Sequence, residues 1–199
     1  MIKRKAALIA LLVGCFSGSG LSQEMACNLA DARAISEKHF PSKLQTRRFT
    51  DEQRASIREK RNWTWEKEVP GLLAIYEAGR PYYFAGDQSE FFVTIAHDGQ
   101  KLELISVFVL IVNIGRDEQE GVLRAAEEIV GVCIPQKSMP RDWLKGALSE
   151  QWDKIAEQMK NPDLRQESQT VQAVFGTTRV VIWGVPPDFW QILILPSPK

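Results

Sequence analysis

Two apolar runs joined by a turn at Asp98 and Gly99 constrain the fold of this chain more than any other feature. Asp-Gly between such runs predicts a tight β-hairpin, because the turn needs positive φ and both residues tolerate it. The two strands of the hairpin are residues 91–96 and 102–112. The second strand alternates weakly at first and is then continuously apolar, which is typical of a central strand buried on both faces.

Capping residues and apolar periodicity predict the other elements. Asn28 caps a helix that runs to Lys38, and Thr50 with Gln53 forms a capping box for a helix that ends near Lys60. A pair of amphipathic helices is predicted at 117–130 and 140–160. Strands are predicted at 63–66, 72–76 and 82–84 before that pair, and at 171–175, 179–183 and 189–195 after it.

This order of elements predicts an α+β fold. It is a mainly antiparallel sheet with N-terminal helices and a helical pair inserted between two groups of strands. The two groups should join in one sheet, because each group alone would make a poor core. No linker-like composition divides them, so we expect residues 23–199 to form a single α+β domain.

Residues 1–22 have the order of a secretory signal peptide. Lys3, Arg4 and Lys5 come first, an apolar run at 6–16 follows, and small residues dominate 17–22. The apolar run is too short to span a bilayer, and we expect no transmembrane span in the mature chain. Cleavage after Ser22 predicts a protein that is periplasmic or secreted.

A second processing route is open at Leu12, Val13, Gly14 and Cys15, which resemble a bacterial lipobox. The resemblance implies cleavage before Cys15 and lipidation of that residue. The protein would then be a membrane-anchored lipoprotein, held at a membrane surface by its acylated terminus.

The cysteines support export. Cys15 lies in the leader under either route, which leaves Cys27 and Cys133 as an even pair in an oxidising compartment. We therefore predict a disulfide between them. It would tie the start of the mature chain to the middle of the fold.

The charge balance argues against nucleic acid as a partner. The whole chain carries 25 basic and 25 acidic residues. Cleavage after Ser22 removes three basic residues and no acidic one, which leaves 22 against 25 and a net charge of about −3. Such a chain has no basic excess to neutralise phosphates.

Motifs of known catalytic chemistry are missing from the sequence. It contains no Gly-x-Ser-x-Gly, no His-Glu-x-x-His and no glycine-rich phosphate loop. The histidines and the remaining cysteines are far apart, so we assign no catalytic residue, no metal ligand and no cofactor. His97 is expected to be an exposed turn histidine.

A carboxylate pair at the spacing of a glycosidase site would instead make the protein a small periplasmic hydrolase. The sequence does not show that spacing, and solvated carboxylates are the common case. The carboxylates on or beside predicted strands are Glu66, Glu68, Glu77, Asp87, Glu90, Glu103 and Asp188.

Aromatic residues are concentrated on the predicted strands, where exposed rings can stack on sugars or anchor a protein partner. Most of them should fill the core. The candidate binding residues are Trp63, Trp65, Tyr82, Tyr83, Trp183 and Trp190. Our leading hypothesis is an exported bacterial cell-envelope protein, a non-enzymatic binding or accessory domain for a protein or glycan partner. The alternatives are the hydrolase above and a lipid-anchored structural accessory of an envelope assembly.

Overall fold

The computed structural model describes residues 24–40, 44–59, 69, 72–86, 91–110, 116–134, 141–160, 169–185 and 189–197. Apart from one short strand between the first two helices, helices and strands come in separate groups along this part of the chain. The helices are α1 (Leu29–His39), α2 (Asp51–Glu59), α3 (Leu72–Glu77), α4 (Arg116–Cys133) and α5 (Arg141–Lys160). The strands are β1 (Gln45–Arg47), β2 (Tyr82–Gly86), β3 (Phe91–Asp98), β4 (Lys101–Leu110), β5 (Gln169–Phe175), β6 (Thr178–Val185) and β7 (Phe189–Pro196).

The strands form one antiparallel sheet in the order β1-β2-β3-β4-β7-β6-β5. After β4 the chain passes through α4 and α5, enters the far edge of the sheet as β5, and returns through β6 to β7. Because β7 pairs with β4, the two groups of strands share one sheet. The predicted α+β fold, with its inserted helical pair, is confirmed.

The hairpin of β3 and β4 is confirmed as the centre of the sheet, with a detail that its sequence did not predict. Asp98 is the last residue of β3 and pairs with Lys101, so Gly99 and Gln100 form the loop. Gly99 adopts a φ of 61°, which glycine takes at no steric cost. The pairing also shifts by one residue between Ala96 and His97, which is a β-bulge.

One face of the sheet, the helix-covered face, packs against α1, α4 and α5. Its strand residues include Ile95, Ile105 and Ile192, and they form one buried cluster with Ala32 of α1 and Ile129 of α4. The same cluster takes in Leu144, Ala147 and Leu148 of α5. These helices therefore serve as the layer that the central hairpin requires on one side.

The second face of the sheet has a smaller apolar cluster. Its strand residues Leu104, Val181 and Leu193 are buried with Tyr76 of α3, and Phe49 packs against the same cluster. The central strand is thus buried on both sides, as its apolar run predicts.

Helix α1 is joined to α4 by covalent and ionic contacts. The predicted disulfide is confirmed, because the Cys27 and Cys133 sulfurs are 2.01 Å apart and their Cα atoms 4.4 Å apart. At the other end of α1, Lys38 Nζ and His39 Nε2 lie 2.5 and 2.9 Å from one carboxylate oxygen of Glu128. The hydrogen bond from Lys38, with a further one from His39, lowers the pKa of Glu128.

Both predicted helix caps are confirmed. The Asp31 N–H donates to Asn28 Oδ1 at 2.9 Å. At α2, the Thr50 N–H donates to Gln53 Oε1 at 2.8 Å and the Gln53 N–H donates to Thr50 Oγ1 at 3.1 Å, which is the reciprocal pattern of a capping box.

Several local predictions are wrong or untested. Residues 72–76, predicted as a strand, lie in helix α3; its Leu, Ala and Glu residues are good helix formers, and the helix brings Tyr76 onto the second face. Gly131 does not end α4, which runs on to Cys133. Strand β1 was not predicted, and the predicted strand at 63–66 lies outside the described residues. No helix in the described ranges is both long and apolar enough to cross a membrane.

Candidate functional site

Of the six candidate binding residues, four lie within the described part of the chain. Trp63 and Trp65 lie outside the described residues, so nothing is added to their prediction. Trp190 is only 2% exposed and belongs to the core beneath the helices. Its position is that of a packing residue.

The other three candidates lie on β2 and β6. Tyr82 and Trp183 belong to the cluster of the second face and are 9% and 5% exposed. Tyr83 points to the opposite face, as adjacent strand residues must, and is half-buried there. The structure therefore does not bring the four described candidates into one site, and binding through the six residues stays a prediction.

A different set of aromatic residues does form a continuous surface feature. Five rings, one from each of five strands, form a line across the second face in which each ring contacts the next. We call them the aromatic row. Their centroids are separated by 5.3, 4.7, 5.0 and 5.2 Å, in the order Phe84, Phe92, Phe108, Phe189 and Trp183.

The aromatic row is buried at its ends and open in its middle. Phe84 and Trp183 are buried, whereas Phe92, Phe108 and Phe189 are half-buried. The middle rings are thus held in place by their neighbours while part of each faces solvent. Rings held in this way lose little conformational freedom on binding, which favours their use as contact residues.

A cation lies at the β2 end of the aromatic row. The Arg47 guanidinium lies 3.7 Å from the centroid of the Phe84 ring, a cation–π contact. Arg47 Nη2 also donates to Gln45 Oε1 at 3.1 Å. The row therefore ends beside a positive charge.

The polar groups beside the aromatic row bond to one another. Gln191 lies opposite Phe108 in the sheet, and its Nε2 donates to Ser106 Oγ at 2.7 Å and to Tyr76 Oη at 3.4 Å. All three residues are buried. The surface that the row offers is accordingly apolar, with little hydrogen-bonding capacity of its own.

Because Tyr76 is buried, the free energy of unfolding should fall at alkaline pH. Desolvation raises the pKa of Tyr76 from 10.0 to about 12. Since the folded state then holds this proton more tightly than the unfolded state, its contribution to stability is present below pH 10 and falls as the pH rises towards 12. The loss amounts to roughly 2–3 kcal/mol at about 1.4 kcal/mol per pH unit.

We expect the Tyr76→Phe variant to lack the pH-dependent part of the stability that the Tyr76 hydroxyl supplies. Urea unfolding at steps between pH 9 and 12 should show a steeper loss of stability for the unchanged protein than for the variant. Parallel curves would contradict the burial of this hydroxyl. Below pH 9 the variant should be less stable by about 1 kcal/mol, because a buried hydrogen bond is lost.

His97 is buried, so the expectation of an exposed turn histidine is wrong. It is 9% exposed, and its ring stacks on Tyr83 with centroids 4.9 Å apart. Nδ1 lies 3.0 Å from the Gly99 carbonyl oxygen, which can only accept, so Nδ1 carries the proton. The guanidinium of Arg33 contacts the same Tyr83 ring. These contacts hold the hairpin turn against α1.

The carboxylates of the hydrolase hypothesis are mostly outside the described residues; Glu77 and Glu103 lie within them. Glu103 and Asp98 both contact Nη1 of Arg80, Asp98 at 3.2 Å. The guanidinium is thus shared by two carboxylates, and it ties the hairpin to the segment before β2. In the described part of the chain, no three His, Cys, Asp or Glu side chains come together in a way that could hold a metal ion.

The aromatic row could not be found from composition. Phe108 and Phe189 resemble ordinary core residues in the sequence, and Phe92 is one of two adjacent phenylalanines. The useful signal is register: Phe92 lies directly opposite Phe108 only because of the bulge between Ala96 and His97. Without it, the hairpin would place Phe91 opposite Phe108.

The aromatic row is thus a surface feature from which a function can be inferred. Arg47 lies at one end of it, and beside it Gln191 and Ser106 are hydrogen-bonded to each other. Comparison of the chain with protein-family models, with curated proteins and with solved structures finds no match in any of the three.

Proposed function

We propose that this chain is an exported bacterial cell-envelope protein that binds a protein partner through the aromatic row, without catalysing a reaction. The observation that carries the proposal is the uninterrupted contact of five rings whose three middle members are partly open to solvent. Contiguous apolar surface of this kind is typical of interaction sites.

The chemistry of the row favours a protein partner over a glycan. Sugar recognition combines ring stacking with hydrogen bonds to hydroxyl groups, whereas Gln191 and Ser106 beside the row already bond to each other. Apolar side chains of a protein need no such donors. The Arg47 guanidinium at one end further favours a partner with an acidic residue next to its apolar segment.

The proposed location is the periplasm or the exterior of the cell, and a lipid anchor at Cys15 is the alternative. The disulfide between Cys27 and Cys133 supports an oxidising compartment. Mass spectrometry of the N-terminal peptide of the natural protein separates the two routes. A terminus at Gln23 would contradict the anchor, and an acylated Cys15 would contradict cleavage after Ser22.

The aromatic row can be tested by crosslinking in the living cell. A photoreactive phenylalanine at position 108 or 189 should form an adduct with a discrete envelope protein, because both rings are half-exposed. The same residue at Lys145, which is exposed on α5, is the matched control and should not form that adduct.

Loss of a ring should weaken this interaction. With the photoreactive residue at position 189, Phe92→Gln should reduce the yield of the adduct about tenfold, since aromatic anchors carry much of the energy of an interface. The variant must keep its cooperative thermal transition. An unchanged yield, or adducts with glycan alone, would contradict the proposal.

A further inference from the structure

The two edges of the sheet differ in a way that the aromatic row does not explain. At one edge β1 has three residues, and it includes the charged Arg47. At the other edge β5 has seven residues, with the sequence QTVQAVF. It contains no charge, no proline and no glycine. Native proteins usually shorten or charge the edges of their sheets to prevent unwanted pairing, and only β1 follows that rule.

The hairpin of β5 and β6 shows which backbone groups face outward. Phe175 and Thr178 flank the two-residue loop and pair with each other, and the register continues without a shift. Residues that flank such a loop exchange hydrogen bonds, and the pattern alternates along the strand. The N–H and C=O groups of Gln172 and Val174 therefore point away from β6, towards the side on which no other strand of the described ranges pairs with β5.

The side chains at this edge are also accessible. Val174 is 56% exposed, more than any other large apolar side chain of the described residues. Gln172, two residues earlier on the same face, is exposed as well. Val171 and Ala173 face the other way and pack against the core. The edge strand β5 thus presents uncharged side chains beside its outward-facing backbone groups.

We propose that β5 pairs with β5 of a second copy of this chain, antiparallel and with Ala173 on the two-fold axis. In this register Gln172 lies opposite Val174 of the other copy, and the reverse, so the outward-facing groups make four main-chain hydrogen bonds. The two sheets become one continuous sheet. This pairing is independent of the partner proposed for the aromatic row.

A second copy is the occupant that the strand fits best. Two-fold interfaces require a surface to complement itself, and a strand without charge meets its own copy with no repulsion. The pairing covers Val174, whose exposure is otherwise unfavourable. Strand β1 suits such pairing less well, because it has only three residues and would place two Arg47 side chains diagonally across the interface.

A cysteine at position 173 tests the register. In the proposed dimer the two Ala173 residues form a non-hydrogen-bonded pair, with Cα atoms about 4.5 Å apart. This distance suits a disulfide. The full chain carrying Ala173→Cys, expressed with its leader and purified from the cell envelope, should run at twice the monomer mass without reductant. Peptide mapping should find the bridge between two copies of position 173.

Gln172→Cys is the matched control for that experiment. The two copies of position 172 lie diagonally, about 7–8 Å apart, which is too far for a disulfide. This variant should remain uncrosslinked. Equal crosslinking of both variants, or a ladder of species beyond the dimer, would overturn the two-fold pairing.

Sedimentation of the unmodified chain tests the dimer itself. Val174→Lys should raise the dissociation constant of the dimer about tenfold or more, because two lysines would lie diagonally across the interface. Val132→Lys is the control: Val132 is also an exposed valine, but it lies on α4. A protein that stays monomeric at every concentration, a dimer that Val174→Lys leaves intact, or an edge occupied only by another protein would overturn the proposal.

Discussion

Replacing Cys27 and Cys133 together with alanine is expected to lower the free energy of unfolding by about 4 kcal/mol. The disulfide closes a loop across 106 positions of sequence, and chain-entropy models assign the largest stabilisation to long loops. It is also the covalent link between the start of the described chain and the end of α4. Its loss should therefore release α1 as well as stabilise the unfolded state.

Urea unfolding followed by tryptophan fluorescence measures this effect, because the midpoint shifts with stability. The unchanged protein in the presence of reductant is the control, and it should unfold close to the double variant. Hydrogen exchange should show the largest loss of protection in α1. A double variant within about 1 kcal/mol of the unchanged protein would show that the packing of Ala32 and the contacts of Glu128 hold α1 by themselves.

Replacing Trp190 with alanine is expected to cost about 3–5 kcal/mol, the usual range for a large aromatic side chain in a core. Trp190 is one of the largest fully buried side chains of the described residues. Its indole lies against Gly184 on β6, where a Cβ would come within 2.9 Å of the Trp190 Cδ1 atom. Without the indole, this part of the sheet keeps a cavity between β7 and the helices.

Thermal and urea unfolding measure the loss, with Trp190→Phe as the graded control. Phenylalanine fills part of the space and should cost less than alanine. Phe108→Gln, on the open middle of the aromatic row, should cost less again, because its ring is half-exposed. If Trp190→Ala were as mild as Phe108→Gln, the close packing of Trp190 in the core would be contradicted.

Local signals predicted much of the fold. The caps at Asn28 and Thr50 work because side chain and backbone lie three residues apart, so nothing distant can alter them. The pairing of Cys27 with Cys133 followed from counting the cysteines that remain when Cys15 is assigned to the predicted leader. The central hairpin followed from its turn and its apolar strands.

The errors fall where distant contacts decide the outcome. Residues 72–77 are apolar enough for a strand or a helix, and their packing against the second face through Ile75 and Tyr76 favours the helix. Strand β1 is only three residues long, and it exists because β2 offers an open edge. His97 is beside a turn, yet Tyr83 on the neighbouring strand covers it.

The fold and the candidate site also differ in how far the sequence predicts them. The sequence by itself determined the α+β class, the central hairpin, the capped helices and the disulfide, because these follow from the order of the elements, from neighbouring residues, or from assigning Cys15 to a predicted leader. Only the tertiary structure decided which aromatic residues meet. The one-residue register shift between Ala96 and His97 sets which residue of β3 lies opposite each residue of β4. A shift of one residue moves every side chain of a strand to the opposite face relative to its partner.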